Sequence, residues 1–172
     1  LSVNLVAQVP GTIVAVSKNM KEGGTFKKGE TLFQIDKREY ELRVQSAQAE
    51  VKRQELNLAK EESESEIAKQ EWKNFNKNNP DATPNDLALR IPQLETAKAA
   101  LDAATASLEL AKLNLERTTV TAPFSGRVVT RNAGTGQFTG SGTVLASIYS
   151  TEVMEVIVPI EDKMLEWIDL SD

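Results

Sequence analysis

One short β-type pattern is written twice in this chain, and the two copies are separated by a stretch of about 80 residues. The first copy runs Val9-Pro-Gly-Thr-Ile-Val-Ala-Val16, then Lys21-Glu-Gly-Gly-Thr-Phe-Lys-Lys-Gly-Glu30, then Thr31-Leu-Phe-Gln-Ile35. The second runs Ala122-Pro-Phe-Ser-Gly-Arg-Val-Val129, then Gly134-Thr-Gly-Gln-Phe138 with Gly142, then Val144-Leu-Ala-Ser-Ile148. Alignment sets Gly11 with Gly126, Ile13 with Val128, Gly23 with Gly136, Gly29 with Gly142, Leu32 with Leu145 and Ile35 with Ile148. Each run is β-branched and bounded by turn residues, so each reads as short strands joined by tight turns. Half of such a repeat cannot bury its apolar face alone, and the two copies are expected to close on each other as one small β-sandwich.

The intervening segment is too long for an unstructured loop and must fold. Over residues 37–76, Tyr40, Val44, Ala47, Val51, Leu58, Ala68, Trp72 and Phe75 fall on one line of alternating four- and three-residue steps, with Gln54, Glu61 and Ser65 as polar interruptions. On the return limb Leu87, Leu94, Leu101, Leu108 and Leu115 recur every seventh residue, and Ala97, Ala104 and Ala111 alternate with them. Leucine alternating with alanine lets two helix axes come close, and a sustained seven-residue period implies a left-handed supercoil. The turn-rich Asn78-Asn-Pro-Asp-Ala-Thr-Pro84 lies between the limbs, so they are expected to run antiparallel as a hairpin. Thr83 as N-cap, Pro84 at the first helical position and Asp86 in the first turn predict the start of the return limb. Pro92, lacking a backbone donor, is expected to kink or restart it.

Composition bounds the function. A net charge of -5, with lysines alternating with glutamates, gives no electrostatic reason to bind a polyanion. The chain has no cysteine and no histidine, which removes thiolate and imidazole metal sites, Cys/His nucleophiles and a Ser-His-Asp triad from this sequence. No apolar run approaches the roughly 18 to 20 residues of a membrane span. Residues 1–9 read as the end of a strand and residues 153–159 as the beginning of another unit.

The order Gly11-Thr-Ile-Val14, Glu22-Gly-Gly-Thr-Phe-Lys-Lys-Gly-Glu-Thr-Leu32, Ile35-Asp-Lys-Arg-Glu-Tyr40, a helical hairpin, Leu89-Arg-Ile-Pro-Gln-Leu94 and Leu115-Glu-Arg-Thr-Thr-Val-Thr-Ala-Pro-Phe-Ser-Gly-Arg-Val128 resembles the periplasmic adaptor subunits, or membrane fusion proteins, of tripartite efflux pumps. The likeness is strongest to those that serve transporters of the resistance-nodulation-division (RND) class. It covers nearly the whole chain, and its specificity lies in the order of the motifs, with the hairpin spliced between two half-motifs. It implies an α+β chain: a lipoyl-like β-sandwich of two half-motifs at 1–36 and 118–150, an antiparallel coiled-coil hairpin at 37–117 with its tip at 76–91, and the start of a β-barrel domain at 151–172. It further implies a periplasmic location, an inner-membrane anchor, an inner-membrane transporter and a TolC-type outer-membrane channel as partners, and self-assembly into a hexameric ring in the pump. An ABC-type exporter or type I secretion system is the alternative transporter.

On this resemblance the candidate channel-docking residues are Lys77, Asn79, Asp81, Asn85 and Arg90 at the tip. The arginine, leucine and serine tip motif of several family members is not evident here. Gly23, Gly24, Gly136 and Gln137, in the turns 21–30 and 132–142, are the candidates for ring packing. A lipoyl or biotinyl carrier is the rival from another class, with Lys37 near the turn between half-motifs. Asp36-Lys37-Arg38, however, continues into a helix instead of presenting the lysine on a tight hairpin. Trp72 and Phe75 are expected to pack inward against Leu87 or Ile91. The acidic run Glu61-Glu-Ser-Glu-Ser-Glu66 is expected to be a solvated face paired with Lys60 and Lys69. No catalytic residues, cofactor or metal ligands are indicated, and the glycines at 23, 24, 29, 134, 136, 140 and 142 read as turn residues.

Overall fold

The computed structural model describes residues 2–77 and 83–151. Its elements run β1 (Ser2–Val6), β2 (Gly11–Val16), β3 (Thr25–Phe26), β4 (Thr31–Ile35), α1 (Arg38–Phe75), α2 (Ile91–Glu116), β5 (Thr119–Thr121), β6 (Gly126–Arg131), β7 (Phe138–Thr139) and β8 (Val144–Ser150). Two four-stranded antiparallel sheets form, in the orders β1-β8-β6-β3 and β5-β4-β2-β7. Each sheet therefore takes strands from both copies of the repeat, which is why one copy could not fold alone. Inward residues from both sheets fill the space between them: Ile13, Leu32, Phe33, Ile35, Val128, Leu145 and Ile148 are essentially inaccessible. Burying side chains of this size contributes about 1.5 to 3 kcal/mol each.

The two halves obey a pseudo-twofold relation down to single hydrogen bonds. The Gly23 N–H donates to the Val128 carbonyl at 2.9 Å, and the Gly136 N–H donates to that of Ile13 at 2.7 Å. Likewise the Gly29 N–H donates to the Ala122 carbonyl at 2.8 Å, and the Gly142 N–H to that of Ala7 at 2.7 Å. All four glycines have positive φ, from 75° to 88°, where a side chain is strained. The last pair extends the repeat beyond the sequence alignment: β1 and β5 are equivalent edge strands, and Ala7 and Ala122 are equivalent buried residues. Ala7 and Ala122 sit at the ends of runs too short and too polar to show the correspondence in sequence.

Helices α1 and α2 pack as an antiparallel hairpin along the predicted seam. Val44, Ala47, Val51, Gln54, Leu58, Glu61, Ser65, Ala68 and Trp72 are each at least partly buried on α1, as are Leu94, Ala97, Leu101, Ala104, Leu108, Ala111 and Leu115 on α2. Two expectations fail at the far end. The return helix does not start at Thr83: α2 begins at Ile91, its N-cap is Arg90 in the left-handed conformation (φ 58°, ψ 25°), and Pro92 falls within the first turn. Residues 86–90 make a single turn instead, in which the Leu87 N–H donates to Asn85 Oδ1 at 3.0 Å and the Ile91 N–H to the Asp86 carbonyl at 3.0 Å. The restart is what Pro92 dictates, because it has no N–H to give the turn before it. Phe75 is the second correction: it is 91% exposed, and Leu87 is 65% exposed. α2 begins only at Ile91 and does not extend opposite the last turn of α1.

Candidate functional site

The hairpin is fixed to the β-domain at its base by polar contacts inside an otherwise apolar junction. Tyr40, in the first turn of α1, is buried in the β-domain core and donates its hydroxyl to the Pro10 carbonyl at 2.7 Å. Burial raises the Tyr40 pKa, so the neutral donor is the favoured form. Arg43 lies over its ring at 5.7 Å. Just before α1, Asp36 Oδ1 accepts from the Arg38 backbone N–H at 3.1 Å, and the Asp36 carboxylate also binds the Arg38 guanidinium at 2.5 Å. Arg38 holds the Asp36 carboxyl down, at about 2. At the return end, Gln34 Nε2 donates to the Thr118 carbonyl at 3.2 Å while the buried Thr118 hydroxyl donates to the Leu115 carbonyl at 2.6 Å. Both ends of the hairpin are thereby tied to β4 and its neighbours.

Lys37, the residue a carrier domain would modify, is the N-cap residue of α1 and pairs with Glu41 at 2.9 Å. It stands at a helix start, not at the tip of a β-hairpin.

Toward the tip a polar knot interrupts the seam. Ser65, 1% exposed, donates its hydroxyl to the Leu89 carbonyl at 2.7 Å. Arg90 reaches back across the hairpin to Glu61 at 2.7 Å and Glu64 at 2.5 Å. The Glu61 hydrogen bond, and the charges of Glu61 and Glu64, raise the Arg90 pKa further. Two of the acidic residues expected to be a solvated face thus serve the opposite limb, although Lys60 does approach Glu64 at 3.8 Å. Sequence reading missed this role for Arg90. The signal was available: two polar interruptions of a seam, Glu61 and Ser65, require a partner from the other helix, and Arg90 is the one arginine between Leu87 and Leu94.

Of the other tip candidates, Lys77 and Asn85 are exposed, while Asn79 and Asp81 lie outside the described residues. Trp72, Phe75, Ala68, Glu71 and Ala88 line an open groove near the end of α1. Among the ring-packing candidates, Gly23, Gly136 and Gln137 are exposed, and the Gln137 side chain accepts from the Gly134 N–H at 3.1 Å. Gly24 is tightly enclosed: a Cβ there would come within 2.1 Å of the Asn19 carbonyl oxygen. The segment expected to begin a β-barrel domain lies, from residue 152 onward, outside the described residues. Among the described residues no helix is long and apolar enough to cross a membrane, and no group of three His, Cys, Asp or Glu is placed to hold a metal ion.

Two interleaved half-motifs with a coiled-coil hairpin spliced between them define a barrel-sandwich hybrid domain. The family model of the RND membrane fusion protein barrel-sandwich hybrid domain matches residues 2–151, and the chain belongs to this membrane fusion, or periplasmic adaptor, family. Solved structures share the fold. A protein of Bacteroides eggerthii DSM 20697 assigned to efflux transport matches with a TM-score of 0.66 at 22% identity, over 88% of this chain and 40% of that one. A MacA-MexA chimera carrying the Pseudomonas aeruginosa MexA α-hairpin matches with a TM-score of 0.58 at 29% identity, over 87% of this chain and 46% of that one. The membrane fusion protein Spr0693 of Streptococcus pneumoniae R6 matches with a TM-score of 0.59 at 22% identity, over 88% and 64%. The chain therefore spans less than two thirds of the length of these structures.

Proposed function

We propose that this chain is the lipoyl and hairpin portion of a periplasmic adaptor that links an inner-membrane transporter of the RND class to a TolC-type outer-membrane channel, without chemistry of its own. The observation that carries the reading is the hairpin's attachment: both limbs are anchored in one β-domain at Tyr40 and Thr118, while the tip projects free of it. A 38-residue helix extends about 57 Å, so the β-domain and the tip can touch different partners. Tip residues Lys77, Asn79, Asp81 and Asn85 contact the channel, and the turns holding Gly23, Gly24, Gly136 and Gln137 face neighbouring adaptors in a hexameric ring. Arg90 serves the tip indirectly, since its guanidinium is engaged by Glu61 and Glu64. The protein acts in the periplasm, held to the inner membrane.

The RND-class assignment is supported by the family model and by the 29% identity to a chimera bearing the MexA hairpin. An ABC-type exporter is the second reading, favoured by the MacA portion of the same chimera. Cysteines placed singly at Asn79, Asp81 and Asn85 in the full-length protein test the core claim in cells. Adducts with the outer-membrane channel, limited to tip positions, are expected. Equal labelling along the whole hairpin, or none, with efflux intact, overturns it.

A further inference from the structure

Charge is divided unevenly along this chain. Residues 152–172 hold seven acidic side chains and one basic one, Lys163, a net of -6, so residues 1–151 carry +1 of the total of -5. The β-domain is the cationic part. Its two halves, 1–36 and 118–151, hold six lysines and arginines against Glu22, Glu30 and Asp36. Five of the six, Lys18, Lys21, Lys27, Lys28 and Arg127, are exposed at one end of the domain. None of these five is within ion-pair distance of a described carboxylate, whereas most cations of the hairpin are paired locally. Two of the three acids are already engaged. Asp36 binds Arg38, and Glu30 accepts from the Lys27 N–H at 3.1 Å and from the Asn19 amide at 2.9 Å.

The end that gathers these cations faces away from the hairpin. β4 leads into α1 and pairs Gln34 with Thr119 and Thr31 with Thr121, so Thr31 and Thr121 lie on the distal side. There the Gly29 N–H donates to the Ala122 carbonyl, and the Lys28 N–H to Ser125 Oγ at 3.1 Å. Val16 stands opposite Phe33 in β4, which directs the turn holding Lys18 and Lys21 to the same end. Arg127 is paired with Thr25 on one side and with Tyr149 on the other. Tyr149, 38% exposed, gives this face an apolar part. The Thr151 N–H donates to the Ser125 carbonyl at 3.3 Å, so the chain leaves the domain beside Lys28 and Arg127. The acidic segment therefore begins next to the basic end.

We propose that the acidic segment 152–172 seats on this lysine-rich end within the same chain, with Glu152 and Glu155 meeting Lys28 and Arg127 and the later carboxylates meeting Lys18, Lys21 and Lys27. Complementary charge selects this occupant, and attachment at Thr151 keeps it at high effective concentration. Glu152 and Glu155 follow Thr151 by one and four residues, at most about 14 Å of extended chain. Exposed ion pairs are individually weak and are screened by salt, so the contact is reversible and its strength follows ionic strength. It couples the hairpin-bearing β-domain to the part of the chain beyond residue 151, and it needs neither transporter nor channel.

Lysine acetylation read by mass spectrometry on the purified full-length protein tests this, with Lys73, exposed on the hairpin, as the internal reference. At low salt Lys27 and Lys28 are expected to react about fivefold more slowly than Lys73, and at about 0.5 M salt to approach it. A variant with Glu152→Gln, Glu155→Gln, Glu161→Gln and Asp162→Asn is expected to show at low salt the reactivity that the parent shows at high salt, with Lys73 unchanged. Protection that survives neutralisation of these carboxylates, or that salt leaves intact, overturns the proposal. So does protection lost on dilution, which places a second copy on this face, or protection seen only with other proteins in the mixture, which places an acidic partner there. Equal reactivity of Lys27, Lys28 and Lys73 in the parent at low salt overturns it whether or not the variant folds.

Discussion

Gly23 gives its N–H to the carbonyl of Val128, and through the pseudo-twofold axis Gly136 gives its own to Ile13, at 2.9 and 2.7 Å. Each half of the repeat thus uses its glycine turn to close the other half's strand. At both turns a Cβ would meet open space, so only the positive φ opposes a side chain. Gly136→Ala is expected to lower stability by about 1 to 2 kcal/mol. Gly24→Ala, whose Cβ would collide with the Asn19 carbonyl, should cost more. Denaturant titration of the three proteins checks the order.

Arg90 combines a left-handed backbone with an ion pair to Glu61 and Glu64, and two substitutions separate these contributions. Arg90→Ala loses the pair and keeps the backbone strain, whereas Arg90→Gly loses the pair and relieves it. Hydrogen exchange at the Ile91 and Leu94 amides should therefore speed up in both, and more in the alanine variant. Equal exchange in the two would show that the ion pair alone sets the start of α2.

Tyr40 and Ser65 hold the hairpin at its two ends through one hydroxyl each, both buried. Tyr40→Phe and Ser65→Ala are each expected to cost about 1 kcal/mol, the usual net value of one hydrogen bond. The sites lie far apart, so the double variant should show the sum. A clear departure from additivity in thermal or denaturant unfolding would mean that the hairpin and β-domain share one polar network.

Asp36 supplies a pH signature at the hairpin base. Its carboxyl is lowered from 3.8 to about 2 by Arg38, so its contribution to folding is present above pH 3.8 and is lost as the pH falls through about 2. Carboxyl NMR titration should place its midpoint there, and Arg38→Gln should return it toward the ordinary value. The first residues of α1 should then lose protection in mild acid, between pH 4 and 2, in the Arg38→Gln protein sooner than in the parent.

The repeat, the hairpin and its seam were legible in the chain because each rests on a local, periodic signal. Glycine spacing marks turns that demand positive φ, and the steps of four and three residues mark one face of a helix. Gln54, Glu61 and Ser65 stand on the seam as polar interruptions visible in the periodicity. Their meaning was not legible, because the partner of Glu61 and Ser65 arrives from the other limb at a level that only the packed hairpin sets. The same holds for the true start of α2. Thr83-Pro84 is a sound local cap, yet the Arg90 contacts across the hairpin and the missing Pro92 donor select Ile91. Phe75 followed the right period but ran past the end of its partner helix. The sequence by itself determined which residues turn, which form helices and which face a helix buries. Tertiary structure decided which half closes which, where the return helix begins, and which polar groups meet across the hairpin, since these depend on contacts between residues distant in the chain.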